Sequence, residues 1–212
     1  MARKRVAILI SGRGSNMVAL IEAATDSAYP AEIVLVVSND PTAQGLQRAE
    51  AAGIRTSVVD HRKFGKDREA FERALQHELQ AQRIELVCLA GFMRILTSWF
   101  VRQWEGRLLN IHPALLPAFK GLDTHARALA SGAGEHGATV HFVVPEMDSG
   151  PIIAQAAVPV RAGDTEAALA ARVLEVEHRI YPEALRSVAE GRLRVVEGRC
   201  LIDGRPAVID RS

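Results

Sequence analysis

The sequence is poor in cysteine, poor in aromatic residues and nearly balanced in charge. Its two cysteines, Cys88 and Cys200, are too few for a disulfide framework and too far apart for a C-x-x-C metal or redox pair. The chain has 26 basic and 25 acidic residues, so no basic surface for nucleic acid is expected. No apolar run approaches the ~18 residues that a membrane span needs, and the run over residues 6–10 is too short for a signal peptide. We therefore expect a cytoplasmic protein without membrane or nucleic-acid partners, with Cys88 packed in a strand.

The composition and the order of the apolar segments indicate the fold class. Hydrophobic residues make up 48% and charged residues 24% of the 212 residues, which is typical of a globular chain with ample core. Short apolar runs alternate with segments of helical periodicity over residues 5–112, which predicts an α/β fold with a doubly wound, mainly parallel sheet. The strands predicted after Gly137 are expected to add antiparallel pairs. We predict one domain over 1–212, with halves at about 1–105 and 106–212.

A glycine-rich turn, Ser11-Gly-Arg-Gly-Ser-Asn16, follows the first apolar run and precedes a predicted helix. A helix N-terminus behind glycines offers backbone N–H groups and a positive dipole end, which is a natural phosphate site. The third glycine of a dinucleotide fingerprint is replaced by Met17, and the P-loop Gly-Lys-Ser/Thr is missing. The alternative is a tight turn in which Ser15 or Asn16 only caps the helix.

Asn110 and His112 lie at the end of the apolar run that Pro113 closes. Residues two apart in a strand point to the same side, and proline cannot continue a central strand, so both side chains are expected at the strand's C-terminal end. Open α/β sheets bind ligands there, and the glycine-rich turn also follows a strand, so one cleft is expected. A donor amide beside an imidazole suits acyl transfer or hydrolysis. The alternative is an ordinary loop histidine after a turn-forming asparagine.

Three further features predict ligand contacts. The loop Gly91-Phe-Met-Arg-Ile-Leu96 is unusually apolar and can either wall a pocket for a flat aromatic ligand or pack on the core. Asp148 stands at the tip of a predicted hairpin over residues 143–159, within expected reach of His112, or is an ordinary turn aspartate. Arg68 lies near a helix start, where a cation opposes the dipole, so it either serves a ligand or is a solvated surface residue.

Together these motifs closely resemble the phosphoribosylglycinamide formyltransferases, the folate-dependent family of purine synthesis. The likeness runs over about residues 6–191. It is carried by short motifs along the chain: Ser11-Gly-Arg-Gly-Ser-Asn16, Ala90-Gly-Phe-Met-Arg-Ile-Leu96, Asn110-Ile-His-Pro113, Leu115-Leu-Pro117, His136-Gly-Ala-Thr-Val-His141 and Asp148-Ser-Gly-Pro151. The family implies a Rossmann-like formyltransferase fold, 10-formyltetrahydrofolate as co-substrate and no metal. It implies small-molecule partners, and the chain is expected to be a monomer or homodimer.

The resemblance also assigns ligand contacts. It implies that the phosphate of the glycinamide ribonucleotide binds Gly14, Ser15 and Asn16, with Glu177 as a further ribonucleotide contact. The pterin would be bordered by Met93, Arg94, Ile95 and Leu96, with Arg68 near the folate tail.

The same resemblance implies three catalytic roles. Asn110 would bond the formyl oxygen of the folate. His112 would be the acid that stabilises or protonates the tetrahedral intermediate, and the carboxylate of Asp148 would favour its charged form. Two departures, Ala114 where the family often has serine and Ala138-Thr139 where many members have Thr-Ser, leave this set in place.

Four alternatives compete with this interpretation. A formyltetrahydrofolate hydrolase would give the formyl group to water, but known deformylases carry an N-terminal regulatory domain, whereas this chain starts at its first strand. A tRNA formyltransferase would carry a C-terminal domain, whereas about twenty residues follow Gly191. A non-catalytic nucleotide-binding module would not need Asn110, His112 and Asp148. A dinucleotide oxidoreductase could use Asp40 for the ribose but lacks the third glycine.

Overall fold

A computed structural model describes residues 2–206 and 209–210, and it divides into two compact units, Met1–Asn110 and Ile111–Ser212. The strands are β1 (Lys4–Ile10), β2 (Ala31–Ser38), β3 (Thr56–Val58), β4 (Leu86–Leu89), β5 (Leu108–His112), β6 (Glu135–Phe142), β7 (Ile152–Pro159), β8 (Leu193–Val196), β9 (Arg199–Ile202), β10 (Arg205–Pro206) and β11 (Ile209–Asp210). The helices are α1 (Ser15–Ala24), α2 (Gln44–Ala51), α3 (Arg68–Ala81), α4 (Ser98–Gln103), α5 (Thr124–Ala130) and α6 (Glu166–Ala189), and a 3₁₀ turn covers His61–Phe64.

The first unit is built on a parallel sheet. β1 pairs with β2 on one side and β4 on the other, β3 lies beyond β2, and residues 108–110 of β5 pair with β4. Residues 6–10 of β1 and all of β4 are buried, as expected of apolar strands covered on both faces. Cys88 is fully buried in β4, as predicted. The alternation of strands with α1 to α4 confirms the predicted α/β class.

The second unit carries the antiparallel additions. β6 pairs antiparallel with β7 from Glu135 opposite Pro159 to His141 opposite Ile152, and β11 joins β7 in parallel. The long helix α6 packs on β6 and β7 through an apolar stripe. β8, β9 and β10 form a separate antiparallel sheet. The predicted antiparallel strands after Gly137 are therefore confirmed.

Side-chain caps define the starts of two helices. The Asp67 carboxylate accepts the N–H of Ala70 at α3, and the Thr165 hydroxyl accepts that of Ala168 at α6.

No helix within the described residues is long and apolar enough to cross a membrane. The prediction that residues 1–212 act as one domain, with halves at about 1–105 and 106–212, stays a prediction.

Candidate active site

The glycine-rich turn ends at the N-terminus of α1. Gly14 is the N-cap residue and adopts the left-handed conformation, with φ 71°. Ser15 and Asn16 are the first two residues of the helix itself, so the alternative in which one of them caps the helix is wrong. Strand, glycine turn and helix start follow one another as an anion site requires.

A second glycine, Gly45 of α2, packs against this turn. Its N–H donates to the carbonyl of Gly12 at 3.0 Å. A β-carbon at position 45 would lie 3.1 Å from that carbonyl oxygen, 3.4 Å from the α-carbon of Gly14 and 2.5 Å from the terminal methyl of Ile10. The turn therefore keeps its shape because α2 presents bare backbone to it. Nothing in the local sequence singled out Gly45, because the contact joins segments thirty residues apart.

Gly45→Ala is expected to lower the free energy of unfolding by about 1–3 kcal/mol, since the added methyl overpacks the contact. The variant should also bind inorganic phosphate more weakly, because the turn must move. Urea denaturation and phosphate titration measure the two effects. Gly134→Ala is the matched control, since its β-carbon would meet nothing within 4 Å. Equal behaviour of the two variants would contradict the role given to Gly45.

The loop of residues 91–96 is exposed at its apolar tips. Met93 and Ile95 are 69% and 68% exposed, so these two side chains do not pack on the core, whereas Phe92 and Leu96 are partly buried. Ser11 holds the loop twice: its N–H donates to the carbonyl of Gly91 at 3.1 Å, and its hydroxyl accepts the N–H of Met93 at 2.7 Å. Within the first unit, the structure thus brings the glycine-rich turn and the apolar loop together.

The end of this loop is fixed by α3. The buried carboxylate of Glu72 accepts the N–H of Thr97 at 2.6 Å and also the Thr97 hydroxyl. Arg68 is exposed and stands four residues before Glu72, on the same helix face. This places the Arg68 side chain on the helix face that holds the end of the loop. Its expected contact with the folate tail stays a prediction.

His112 is buried and polarised from two sides. Its Nε2 lies 3.0 Å from the carbonyl oxygen of Phe119, and its Nδ1 lies 3.6 Å from Oδ2 of Asp148. A carbonyl only accepts, so Nε2 carries the proton that it donates to Phe119, and Nδ1 faces the carboxylate of Asp148. The predicted approach of Asp148 to His112 is thus present in the second unit. The arrangement suits an imidazolium that can stabilise negative charge.

Asp148 is held in place from several directions. Its Oδ2 accepts the N–H of Gly121 at 2.8 Å, and its Oδ1 lies 3.8 Å from Nε2 of His141. Desolvation lowers the pKa of His141, whose Nδ1 donates to the carbonyl of Phe142 at 2.8 Å. His141 therefore faces the carboxylate mainly as a neutral ring. The sequence predicts no role for His141, which lies two residues after Thr139 in β6.

The loop that follows His112 is anchored by a buried polar cluster. The hydroxyl of Thr139 donates to the carbonyl of Ala114 at 2.6 Å and accepts the N–H of Leu116 at 3.0 Å. The side-chain amide of Gln155 donates to Thr139 and to the carbonyl of Leu116, both at 2.9 Å. These bonds fix the segment that carries the Phe119 carbonyl. The hydroxyl kept at position 139 is thus a structural requirement of the loop.

His136 is buried between two rings. Its ring centroid lies 5.7 Å from that of Phe119 and 5.2 Å from that of His125, both edge-on. Burial is the main cause that lowers the pKa of His136 to about 4, and the nearby imidazoles of His125 and His112 contribute smaller effects in the same direction. His136 is therefore neutral at neutral pH and acts as a packing residue.

Acidification is expected to destabilise the protein through His136. The unfolded imidazole takes up a proton below about pH 6.5, whereas the folded one waits until about pH 4, so the unfolding free energy falls across that window. The full effect is at most about 3 kcal/mol. Urea denaturation measured between pH 6.5 and 5 gives the slope of the unfolding free energy against pH. This slope should be shallower in His136→Gln than in the wild type, by the equivalent of up to about one proton. An unchanged slope would contradict this account.

The remaining predicted residues lie as follows. Asn110 is half-buried in β5, where it lies opposite Leu89 of β4 and two positions before His112. Asn110 is also the last residue of the first unit. Glu177 is buried on α6, and its contact with a ribonucleotide stays a prediction. No group of three or more histidine, cysteine or acidic side chains able to hold a metal occurs in the described part of the chain.

The protein-family comparison matches residues 4–185 to a family described as formyl transferase. The trifunctional purine biosynthetic protein adenosine-3 of Gallus gallus is 52% identical over 193 residues, covering 91% of this chain but 19% of that protein. The chain thus spans less than a fifth of the length of such trifunctional relatives.

Two further relatives match over nearly their whole length. The phosphoribosylglycinamide formyltransferase of Escherichia coli (strain K12) is 48% identical over 200 residues, covering 94% of each chain. A solved phosphoribosylglycinamide formyltransferase from Coxiella burnetii superposes with a TM-score of 0.92 and 42% identity, covering 98% of this chain and 99% of that one. The fold described above is therefore the fold of that structure.

Proposed function

The chain belongs to the formyl transferase family, and on that premise we propose that it transfers the formyl group of 10-formyltetrahydrofolate to the amine of N1-(5-phospho-D-ribosyl)glycinamide. The products are the N-formyl ribonucleotide and tetrahydrofolate, a step of de novo purine synthesis. The similarity to the Escherichia coli enzyme over 94% of both chains supports this choice of substrates. The observation that carries the chemistry is the buried imidazole of His112 between a carbonyl and a carboxylate.

The transfer is direct. The substrate amine attacks the formyl carbon, and the carbonyl oxygen of the formyl group becomes an oxyanion. The Asn110 amide donates to this oxygen, and the imidazolium of His112 stabilises its charge. The two side chains are neighbours on one face of β5, so the strand itself sets their spacing. The carbon–nitrogen bond to the folate then breaks, and the proton lost by the amine reaches the tetrahydrofolate nitrogen.

Asp148 supports the charge on His112 without touching the reacting atoms. Its carboxylate lies 3.6 Å from Nδ1 and is largely shielded from water, with 11% of its side chain exposed. At such a site an ion pair is screened less than at the surface. Asp148 therefore stabilises the protonated ring that the oxyanion needs.

Separate groups of residues bind the two substrates. The phosphate of the ribonucleotide binds at the glycine-rich turn, through Gly14, Ser15 and Asn16, and Glu177 contacts the same substrate. The pterin lies against the apolar loop of Met93, Arg94, Ile95 and Leu96, where exposed side chains and backbone groups occur together. Burying Met93 and Ile95 under a flat ring removes apolar surface from water and favours binding.

The test is a direct assay. The purified protein is mixed with 10-formyltetrahydrofolate, and release of tetrahydrofolate is followed with and without the glycinamide ribonucleotide. Release that depends on the ribonucleotide is expected. Equal release without it would establish a hydrolase instead, and no release in either case would favour a non-catalytic nucleotide-binding module.

A further inference from the structure

A chain of hydrogen bonds runs from the 3₁₀ turn to the apolar loop within the first unit. The ring of His61 contacts Asn39, which follows β2 and is 4% exposed. The side-chain oxygen of Asn39 accepts the hydroxyl of Ser11 at 2.5 Å. That hydroxyl oxygen in turn accepts the N–H of Met93. We call these four residues, His61, Asn39, Ser11 and Met93, the relay.

One ring nitrogen of His61, Nδ1, lies within hydrogen-bond distance of two atoms of Asn39. Its Nδ1 lies 2.8 Å from the main-chain oxygen of Asn39 and 3.1 Å from the side-chain Nδ2. With its proton on Nδ1 the ring donates to the carbonyl, and with the proton on Nε2 the ring accepts from the amide. Either tautomer therefore ties His61 to Asn39. The main-chain N–H of His61 also reaches the same carbonyl, at 3.3 Å.

The relay holds the backbone of Met93, an exposed residue of the loop. Met93 is 69% exposed, so its position depends on its backbone rather than on buried side-chain contacts. Its N–H is held by the Ser11 hydroxyl, and the orientation of that hydroxyl depends on the Asn39 oxygen. Because Asn39 is in turn held by His61, a change at position 61 reaches Met93 through three successive bonds.

We propose that His61 and Asn39 are positioning residues that set the apolar loop for the folate. This inference rests on the proposed function, in which Met93 to Leu96 border the pterin. Neither residue contacts the reacting atoms. Their effect is on how well the loop is preformed, and so on the affinity for the folate co-substrate rather than on the chemical step.

Two substitutions at position 61 separate the hydrogen bond from the bulk of the side chain. The amide of asparagine reaches the position of Nδ1, whereas that of glutamine reaches the position of Nε2. His61→Gln is expected to raise KM for 10-formyltetrahydrofolate about three- to tenfold, the value of one hydrogen bond. KM for the ribonucleotide and kcat should change by less than about twofold. His61→Asn should restore the wild-type KM, and His77→Ala, at an exposed histidine of α3, is the matched control.

Hydrogen exchange of the Met93 amide gives a readout that needs no substrate. It should be faster in His61→Gln than in wild type, His61→Asn or His77→Ala. Unchanged exchange and KM in His61→Gln, or equal impairment by asparagine and glutamine, would overturn the proposal. Parallel changes in kcat and both KM values, with a lower Tm, would show a general structural role and overturn it as well. A wild-type protein without transferase activity would sink the proposed function, and the exchange rates would still decide the relay.

Discussion

Replacement of His112 by alanine is expected to lower kcat by about two to four orders of magnitude, the usual contribution of a positioned acid or base. In the proposed mechanism the variant loses the imidazolium that stabilises the oxyanion, while the glycine-rich turn proposed as the phosphate site keeps its contacts. The affinity for the ribonucleotide should therefore stay close to that of the wild type. Single-turnover formyl transfer and calorimetric titration with the ribonucleotide measure the two quantities.

A second variant guards against a simple folding defect. His112 is buried, so its truncation leaves a cavity beside the Asp148 carboxylate and costs stability. His112→Gln fills more of that space and can still donate to the Phe119 carbonyl, but it carries no titratable proton. Both variants should lose activity to a similar extent, and His77→Ala should lose none. Full activity in His112→Gln would remove the positive charge of His112 from the mechanism.

Asp148→Asn is expected to lower kcat by about ten- to a hundredfold, which corresponds to the loss of one charge-assisted interaction. The asparagine oxygen can still accept the N–H of Gly121, so the loop should keep its shape. What disappears is the negative charge 3.6 Å from Nδ1 of His112. Steady-state kinetics measure the loss, and Glu146→Gln, an exposed neighbour in the same loop, is the control.

The double variant shows whether Asp148 acts through His112. If it does, His112→Ala combined with Asp148→Asn should be no slower than His112→Ala alone, because the carboxylate has lost the group that it supports. Losses that multiply would instead show that Asp148 acts on the substrates independently. The assignment of Asp148 to His112 would then be wrong.

Local patterns predicted those parts of the protein whose causes are local. The apolar runs of β1 and β4 are buried on both faces, and their burial is what drives them into a parallel sheet. The turn before α1 could be predicted because glycine at position 14 is required by the left-handed backbone. The pair Asn110 and His112 follows from the two-residue period of a strand and from the proline that ends it.

Contacts between residues far apart in the sequence could not be predicted from local patterns. Glu72 lies next to Phe71 at the border of the apolar face of α3. A glutamate at such a position is expected to be exposed to solvent. In the structure it is buried, and its carboxylate accepts the N–H of Thr97. Gly45 and His61 meet their partners only after the chain has folded. The loop of residues 91–96 left two interpretations open, because apolar composition does not distinguish a packed loop from an exposed binding surface.

Asn110 and His112 lie on one strand, so substitutions elsewhere in the protein change the distance between them little. Two residues of extended chain span about 6.5–7 Å, a distance set by bond lengths and backbone torsions rather than by packing. Asp148, in contrast, reaches His112 from a separate loop and is kept there by the N–H of Gly121. Substitutions that accumulate in the core can therefore shift the carboxylate long before they separate the amide from the imidazole.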